Sequence, residues 1–291
     1  MINNSGNIFK YYLELSKLKI MIPVGLTGFT GYFIFDPRFT VRLLIVSIGI
    51  LLLGVSASVL NQIQEVELDK KMNRTHNRPL PGNLIRIEHA FLFFLLNIAG
   101  GSAILFFAGN PKSAIIGIIT VLWYNGIYTY SKRITAFAVI PGAVTGTLPP
   151  LIGWVAAGGG VWDKPIIFLE FLFFIGQIPH FWLLILKYGE EYKKAGIPSL
   201  TDIFTTAQIN RLTFAWVVSS VIAALFLCYF EVIHNGLFVG ILLIASFLII
   251  WQFIDLLKTR PKKSNNSFYS ILLYLYFFVV MLLLIADRLI V

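Results

Sequence analysis

Long unbroken apolar blocks constrain this chain more than any other feature. Nine of them fall roughly at 18–36, 41–62, 88–108, 113–131, 136–157, 165–187, 211–230, 236–257 and 268–288. Blocks of about 20 apolar residues match a hydrocarbon core ~30 Å thick at ~1.5 Å per helical residue. Composition agrees: 57% of residues are hydrophobic and 13% charged, where a soluble domain carries about 25% charged. The expected fold is all-α, a polytopic membrane protein with nine transmembrane helices around a central cavity. Residues 1–291 read as a single transmembrane domain.

The placement of charge orients the bundle. With the N-terminus in the cytoplasm, 18 of the 23 Lys and Arg fall on the cytoplasmic side, leaving only Arg38, Arg42, Lys112, Lys164 and Arg288 opposite. This is the asymmetry of the positive-inside rule, so the net charge of +9 reflects topology and calls for membrane lipids, not nucleic acid, as surroundings. Met1 to Lys19 is polar and basic, without the apolar core of a cleaved signal. Cys228, the single cysteine, lies in an apolar run and reads as a small hydrophobe. The long charged connections, 63–87 and 188–210, both face the cytoplasm and can build one site.

The first of these connections carries chemistry. Asn61, Glu65 and Asp69 are spaced i, i+4, i+8, which sets three oxygen side chains on one helical face where span two leaves the membrane. Hard oxygen donors at that density suit Mg²⁺, which takes one or two carboxylates and completes its shell with water and substrate phosphates. Arg74 and Arg78 follow at another i, i+4 spacing. Guanidinium groups fork onto phosphate oxygens. An ordinary solvated helix end, with acids and bases pairing on the surface, is the plain alternative.

The order Asn-x-x-x-(acid)-x-x-x-Asp, then Lys-Met-x-Arg-Thr-x-Asn-Arg-Pro-Leu-Pro, over 61–81, resembles the first signature of the UbiA-type intramembrane prenyltransferases. In detail it is similar to their protoheme IX farnesyltransferase branch. That family has aspartate where this chain has Glu65. The block Tyr128-Thr129-x-x-Lys132-Arg133, and Gly146-x-x-Pro-Pro-Leu-Ile-Gly-Trp154, resemble the same branch. The resemblance puts Lys132, ahead of Arg133, near a diphosphate at the cytoplasmic mouth, and Tyr128 against the acceptor. The plain reading of the Gly and Pro residues is helix packing. In span six, Pro179-His180 resembles the branch as well, which makes His180 an acceptor contact; a hydrogen-bonded interior histidine is the alternative. Tyr192-x-x-Ala-Gly-Ile-Pro198 looks like the second signature, with Glu191 where the family places aspartate. By that likeness Glu191 joins the metal set and Lys194 binds phosphate.

The resemblance runs from about residue 8 to 212. It implies farnesyl diphosphate as donor, heme B as acceptor, Mg²⁺ as cofactor, and Asp69, Glu65 and Asn61 at the catalytic centre. The chemistry is transfer of the farnesyl group to a heme vinyl group, in a bacterial inner membrane with the site facing the cytoplasm. Alternatives are prenylation of a quinone precursor or other lipophilic acceptor, an ion transporter using the same acidic stripe, and an inactive paralogue assisting assembly.

Overall fold

A computed structural model describes residues 5–258 and 266–290; the basic residues at 260, 262 and 263, which the charge asymmetry assigns to the cytoplasm, lie outside them. Within the described residues all regular secondary structure is helical. A short helix α1 (Ser5–Leu15) precedes α2 (Leu18–Phe35) and α3 (Val41–Gln64), and one further turn, α4 (Val66–Asp69), ends the second apolar block. Then come α5 (Ile87–Ile104), α6 (Pro111–Leu122), α7 (Thr129–Ile134), α8 (Val139–Ala157) and α9 (Lys164–Lys194). The chain closes with α10 (Thr206–Tyr229), α11 (Gly236–Phe253) and α12 (Asn266–Ile290).

Local chemistry sets these limits. The Thr40 side chain accepts from Leu43 N–H, and Thr205 and Asn110 form capping boxes with Gln208 and Ser113, so each satisfies N–H groups with no intrahelical partner. Pro111 at the first turn of α6 gives up no hydrogen bond. Gly158, in the left-handed region at φ 116°, closes α8.

Eight helices are long and apolar enough to cross a membrane: α2, α3, α5, α8, α9, α10, α11 and α12, two of them counted with a terminal turn. The ninth block expected at 113–131 is not among them. It lies in a continuous helical rod, 111–134, that a π-turn at Trp123–Tyr128 divides into α6 and α7. Polar Asn125 and three tyrosines dilute its apolarity. The rod nevertheless runs the length of the bundle. Asn110 at its start bonds the Val155 carbonyl near the end of α8, while Lys132 near its finish reaches Glu65 just past the end of α3.

The core forms where α3 lies on α5, α2 on α8, and α9 between α8 and α10; α12 rests on α9, α11 and α2 and closes the ring. The α2–α8 crossing is backbone against backbone, since a Cβ at Gly31 would strike the Pro150 carbonyl and one at Gly153 the Gly28 carbonyl. The Pro-Pro-Leu-Ile-Gly-Trp block thus serves close helix packing. Large apolar side chains such as Phe107, Phe247 and Trp251 stand exposed on the outer surface, the pattern of a lipid-facing belt. At the end opposite α1, Arg42 donates to the carbonyls of Ala108, Gly109 and Ala156 and so caps two helices at once.

Candidate active site

The acidic stripe survives a break in its helix. α3 stops at Gln64, and Glu65 leaves helical geometry at φ −105°, ψ 9°. Glu65 N–H still bonds Asn61 O at 3.0 Å, and Asp69 N–H bonds Glu65 O at 2.8 Å. The one-turn spacing is therefore kept, and Asn61, Glu65 and Asp69 reach one cavity of about 260 Å³.

Each of the three has a fixed partner. Asn61, 3% exposed, donates through Nδ2 to Thr129 Oγ1 at 3.1 Å. Glu65 pairs with Lys132 at 2.5 Å, and Asp69 with Arg78 at 2.8 Å. The loop after α4 curls back to deliver that arginine: Thr75 Oγ1 donates to Asp69 O, and Arg78 N–H to Thr75 O. Arg74 joins the cavity wall, and its guanidinium lies 4.7 Å from the Tyr188 ring centre.

Lys17 also lines the cavity, and sequence reasoning treated it only as a topology charge. It occupies the turn between α1 and α2 with φ 44° and ψ 45°, a left-handed conformation that a lysine holds at a cost of about 1–3 kcal/mol. Burial, foremost, lowers its pKa to about 7; Arg78 lowers it further, Glu65 opposes, Lys132 lowers and Asp69 opposes. Its one sequence signal is position, directly before the first apolar block. The cavity thus holds four basic side chains, Lys17, Arg74, Arg78 and Lys132, against two carboxylates. Such a surplus suits a polyanion. Tyr124, Tyr128, Phe181 and Tyr192 supply the aromatic walls, with the Tyr128 and Phe181 rings 6.0 Å apart at 62°. In the sequence Tyr192 has a place in the second signature but no role of its own, and Tyr124 neither, because nothing in their spacing separates a cavity wall from packing.

Three expected residues fall off the cavity wall. Glu191 Oε2 accepts the Arg74 backbone N–H at 3.1 Å, so it ties the first loop to the end of α9. Lys194, the last residue of α9, is exposed. His180 turns toward α12, where its Nε2 lies 2.8 Å from Tyr274 Oη, while its buried Nδ1 has no partner.

The residues present fit a magnesium ion shared with a diphosphate. Two carboxylates and one amide oxygen converge on the cavity, and among the described residues no group of three or more His, Cys, Asp and Glu forms an all-protein metal cage. Mg²⁺ needs few protein ligands when substrate phosphates complete its shell.

The sequence model of the UbiA prenyltransferase family matches residues 24–282. Protoheme IX farnesyltransferase of Geobacter sulfurreducens is 36% identical over 189 residues, 65% of this chain and 70% of that protein. Protoheme IX farnesyltransferase 1 of Pseudomonas fluorescens is 33% identical over 274 residues, 90% of this chain and 88% of the other. Among solved structures, a digeranylgeranylglyceryl phosphate synthase superposes with TM-score 0.77 at 23% identity, covering 97% of this chain and 99% of its own. A UbiA homolog from Archaeoglobus fulgidus, bound to GPP and Mg²⁺, gives 0.68 at 15% identity, covering 96% and 98%. An acid-and-base-lined cavity at one end of a helical bundle, and a family match across nearly the whole chain, lead to one conclusion: the protein belongs to the UbiA prenyltransferase family.

Proposed function

We propose that this chain transfers a farnesyl group from farnesyl diphosphate to a vinyl group of protoheme IX (heme B), yielding heme O. The observation that carries the reading is the meeting of Asn61, Glu65 and Asp69 with Lys17, Arg74, Arg78 and Lys132 in one aromatic-walled cavity. The acceptor is inferred from relatives at 33–36% identity that bear that name.

Asn61, Glu65 and Asp69 would hold Mg²⁺, which when bound neutralises charge building on the leaving diphosphate. Arg74, Arg78, Lys132 and Lys17 grip the diphosphate oxygens, so the pairs Glu65–Lys132 and Asp69–Arg78 exchange partners as donor arrives. Charge developing at the leaving oxygens meets donors already aimed there. The allylic C–O bond breaks and diphosphate leaves with the electron pair. The farnesyl cation faces Tyr124, Tyr128 and Phe181, whose ring faces stabilise a cation by about 0.5–2 kcal/mol each. The vinyl carbon bonds to the farnesyl C1, and water adds at the resulting heme cation with loss of one proton, leaving a hydroxyethylfarnesyl group. Tyr128 belongs to the acceptor wall, and His180, which faces Tyr274 off the cavity wall, would meet the acceptor on the α12 side. Glu191 serves the metal site by holding Arg74 in place, and Lys194 adds positive charge outside the mouth.

With the rod 111–134 as the ninth crossing of a single transmembrane domain, the concentration of basic residues at the cavity end supports an N-terminus and cavity on the cytoplasmic side of a bacterial inner membrane. Mass spectrometry of pigments from cells with and without the protein tests the reading. Heme O present only with the protein supports it; a prenylated quinone precursor in its place overturns the acceptor assignment.

A further inference from the structure

Arg133 follows a lysine of the cavity yet does not line the cavity itself. Its guanidinium donates to the Gln64 carbonyl at 2.6 Å and lies 5.3 Å from the Tyr130 ring centre. Gln64 is the last residue of α3, and the next is Glu65, where the helix breaks. The last carbonyls of a helix have no intrahelical partner and carry the negative end of its dipole, so a cation there both bonds and attracts. Without that bond, the break at Glu65 leaves the carboxylate on a frayed helix end.

Arg133 is one of several bolts between the same two segments. Gln64 Nε2 donates to Asn125 O at 3.2 Å, and Asn61 Nδ2 to Thr129 Oγ1 at 3.1 Å. Thr129 in turn donates to Tyr124 O at 2.9 Å, within the π-turn. A π-turn inserts a residue into a helix and rotates the residues on its C-terminal side. Here it brings Thr129, Lys132 and Arg133 to face Asn61, Glu65 and the Gln64 carbonyl in sequence.

We propose that Arg133 is a positioning residue: by clamping the last carbonyl of α3 it aims the Glu65 carboxylate at the metal shared with the donor. The proposal rests on the prenyl-transfer reading. It assigns to Arg133 a role apart from the phosphate contact of Lys132. Loss of a residue that orients a metal ligand lowers metal affinity by about 10–100-fold.

The test is Mn²⁺ binding followed by electron paramagnetic resonance, using the purified full-length protein in lipid nanodiscs with farnesyl thiodiphosphate. In Arg133→Gln, Mn²⁺ affinity should fall about tenfold, while analogue affinity at saturating Mn²⁺ stays at the wild-type value. Arg133→Lys, whose ammonium still reaches a carbonyl, should recover most of the loss. Tyr130→Leu removes the ring under the guanidinium and should weaken Mn²⁺ about two- to fivefold; it carries the test if Arg133→Gln does not fold. Unchanged Mn²⁺ affinity in these variants, or weakened analogue binding at saturating metal, overturns the clamp alone. A wild-type protein that binds no Mn²⁺ with the analogue overturns the prenyl-transfer reading and the clamp with it.

Discussion

Asp69 and Arg78 form an ion pair at 2.8 Å in which the carboxylate side chain is 2% exposed and the guanidinium 20%. They lie nine positions apart in the sequence, and the loop between them folds the second back onto the first. The pair keeps a buried carboxylate compensated; on the proposed reading a metal ion and a diphosphate would claim its two halves. Its partners predict different outcomes for two substitutions.

Asp69→Asn keeps the shape and a hydrogen-bond acceptor but removes the charge. Farnesyl transfer should fall about 100-fold or more in kcat, with the protein still inserting and melting near the wild-type temperature. Asp69→Ala strands Arg78 as well and should cost stability of about 3–5 kcal/mol. Initial rates and thermal melting in detergent separate the two effects. Full activity in folded Asp69→Asn removes the metal assignment.

If the cavity takes the donor as proposed, Lys17 should give its binding a pH dependence. Its pKa of about 7 in the free protein makes it an ammonium below that pH and a neutral amine above. Donor KM should rise as pH climbs through 7, and Lys17→Gln should show a raised, flat KM over the same interval. Stability moves the other way. The folded state gives up this proton near pH 7 and the unfolded chain near 10.5, so between those values the unfolded state binds more protons and stability increases with pH. A donor KM profile unchanged by Lys17→Gln would remove Lys17 from the site.

His180 tests the acceptor side of the proposal. With Nε2 engaged by Tyr274 and Nδ1 unpartnered, His180→Ala should raise acceptor KM about tenfold, the worth of roughly one hydrogen bond to a buried polar group. Donor KM should not move. Equal effects on both, or none on either, would make His180 a packing residue.

The α2–α8 crossing is the mechanical test. Gly153→Val forces side-chain atoms into the Gly28 carbonyl and Tyr32 N–H. Overpacking costs about 1–3 kcal/mol where neighbours can shift, and backbone shifts less than a side chain does. Folded yield in membranes should drop sharply, with kcat per folded molecule unchanged, as measured by gel filtration and active-site titration.

Much of the fold, and the residues that line the candidate cavity from the first loop, are legible in the sequence. Apolar block length alone marks the spanning helices, because a bilayer dictates length. The Asn61–Glu65–Asp69 spacing marks the acidic rim, because i→i−4 bonding persists through the break at Glu65. The hidden part depends on tertiary contact. Nothing in Leu-Ser-Lys-Leu tells that Lys17 is pinned in a left-handed turn beside Arg78. No periodicity separates the π-turn at 123–128 from regular helix, although it decides that Lys132 meets Glu65. Glu191 and His180 were assigned by likeness to signatures, whereas their side chains answer to the Arg74 backbone and to Tyr274 across the bundle.

The most direct measurement incubates the purified protein in nanodiscs with heme B, farnesyl diphosphate and Mg²⁺, and follows the heme by mass spectrometry alongside diphosphate release. The expected result is heme O and diphosphate in equal amounts, dependent on Mg²⁺ and lost in Asp69→Asn. Unaltered heme B under these conditions, or heme O formed as fast by Asp69→Asn, would contradict the account.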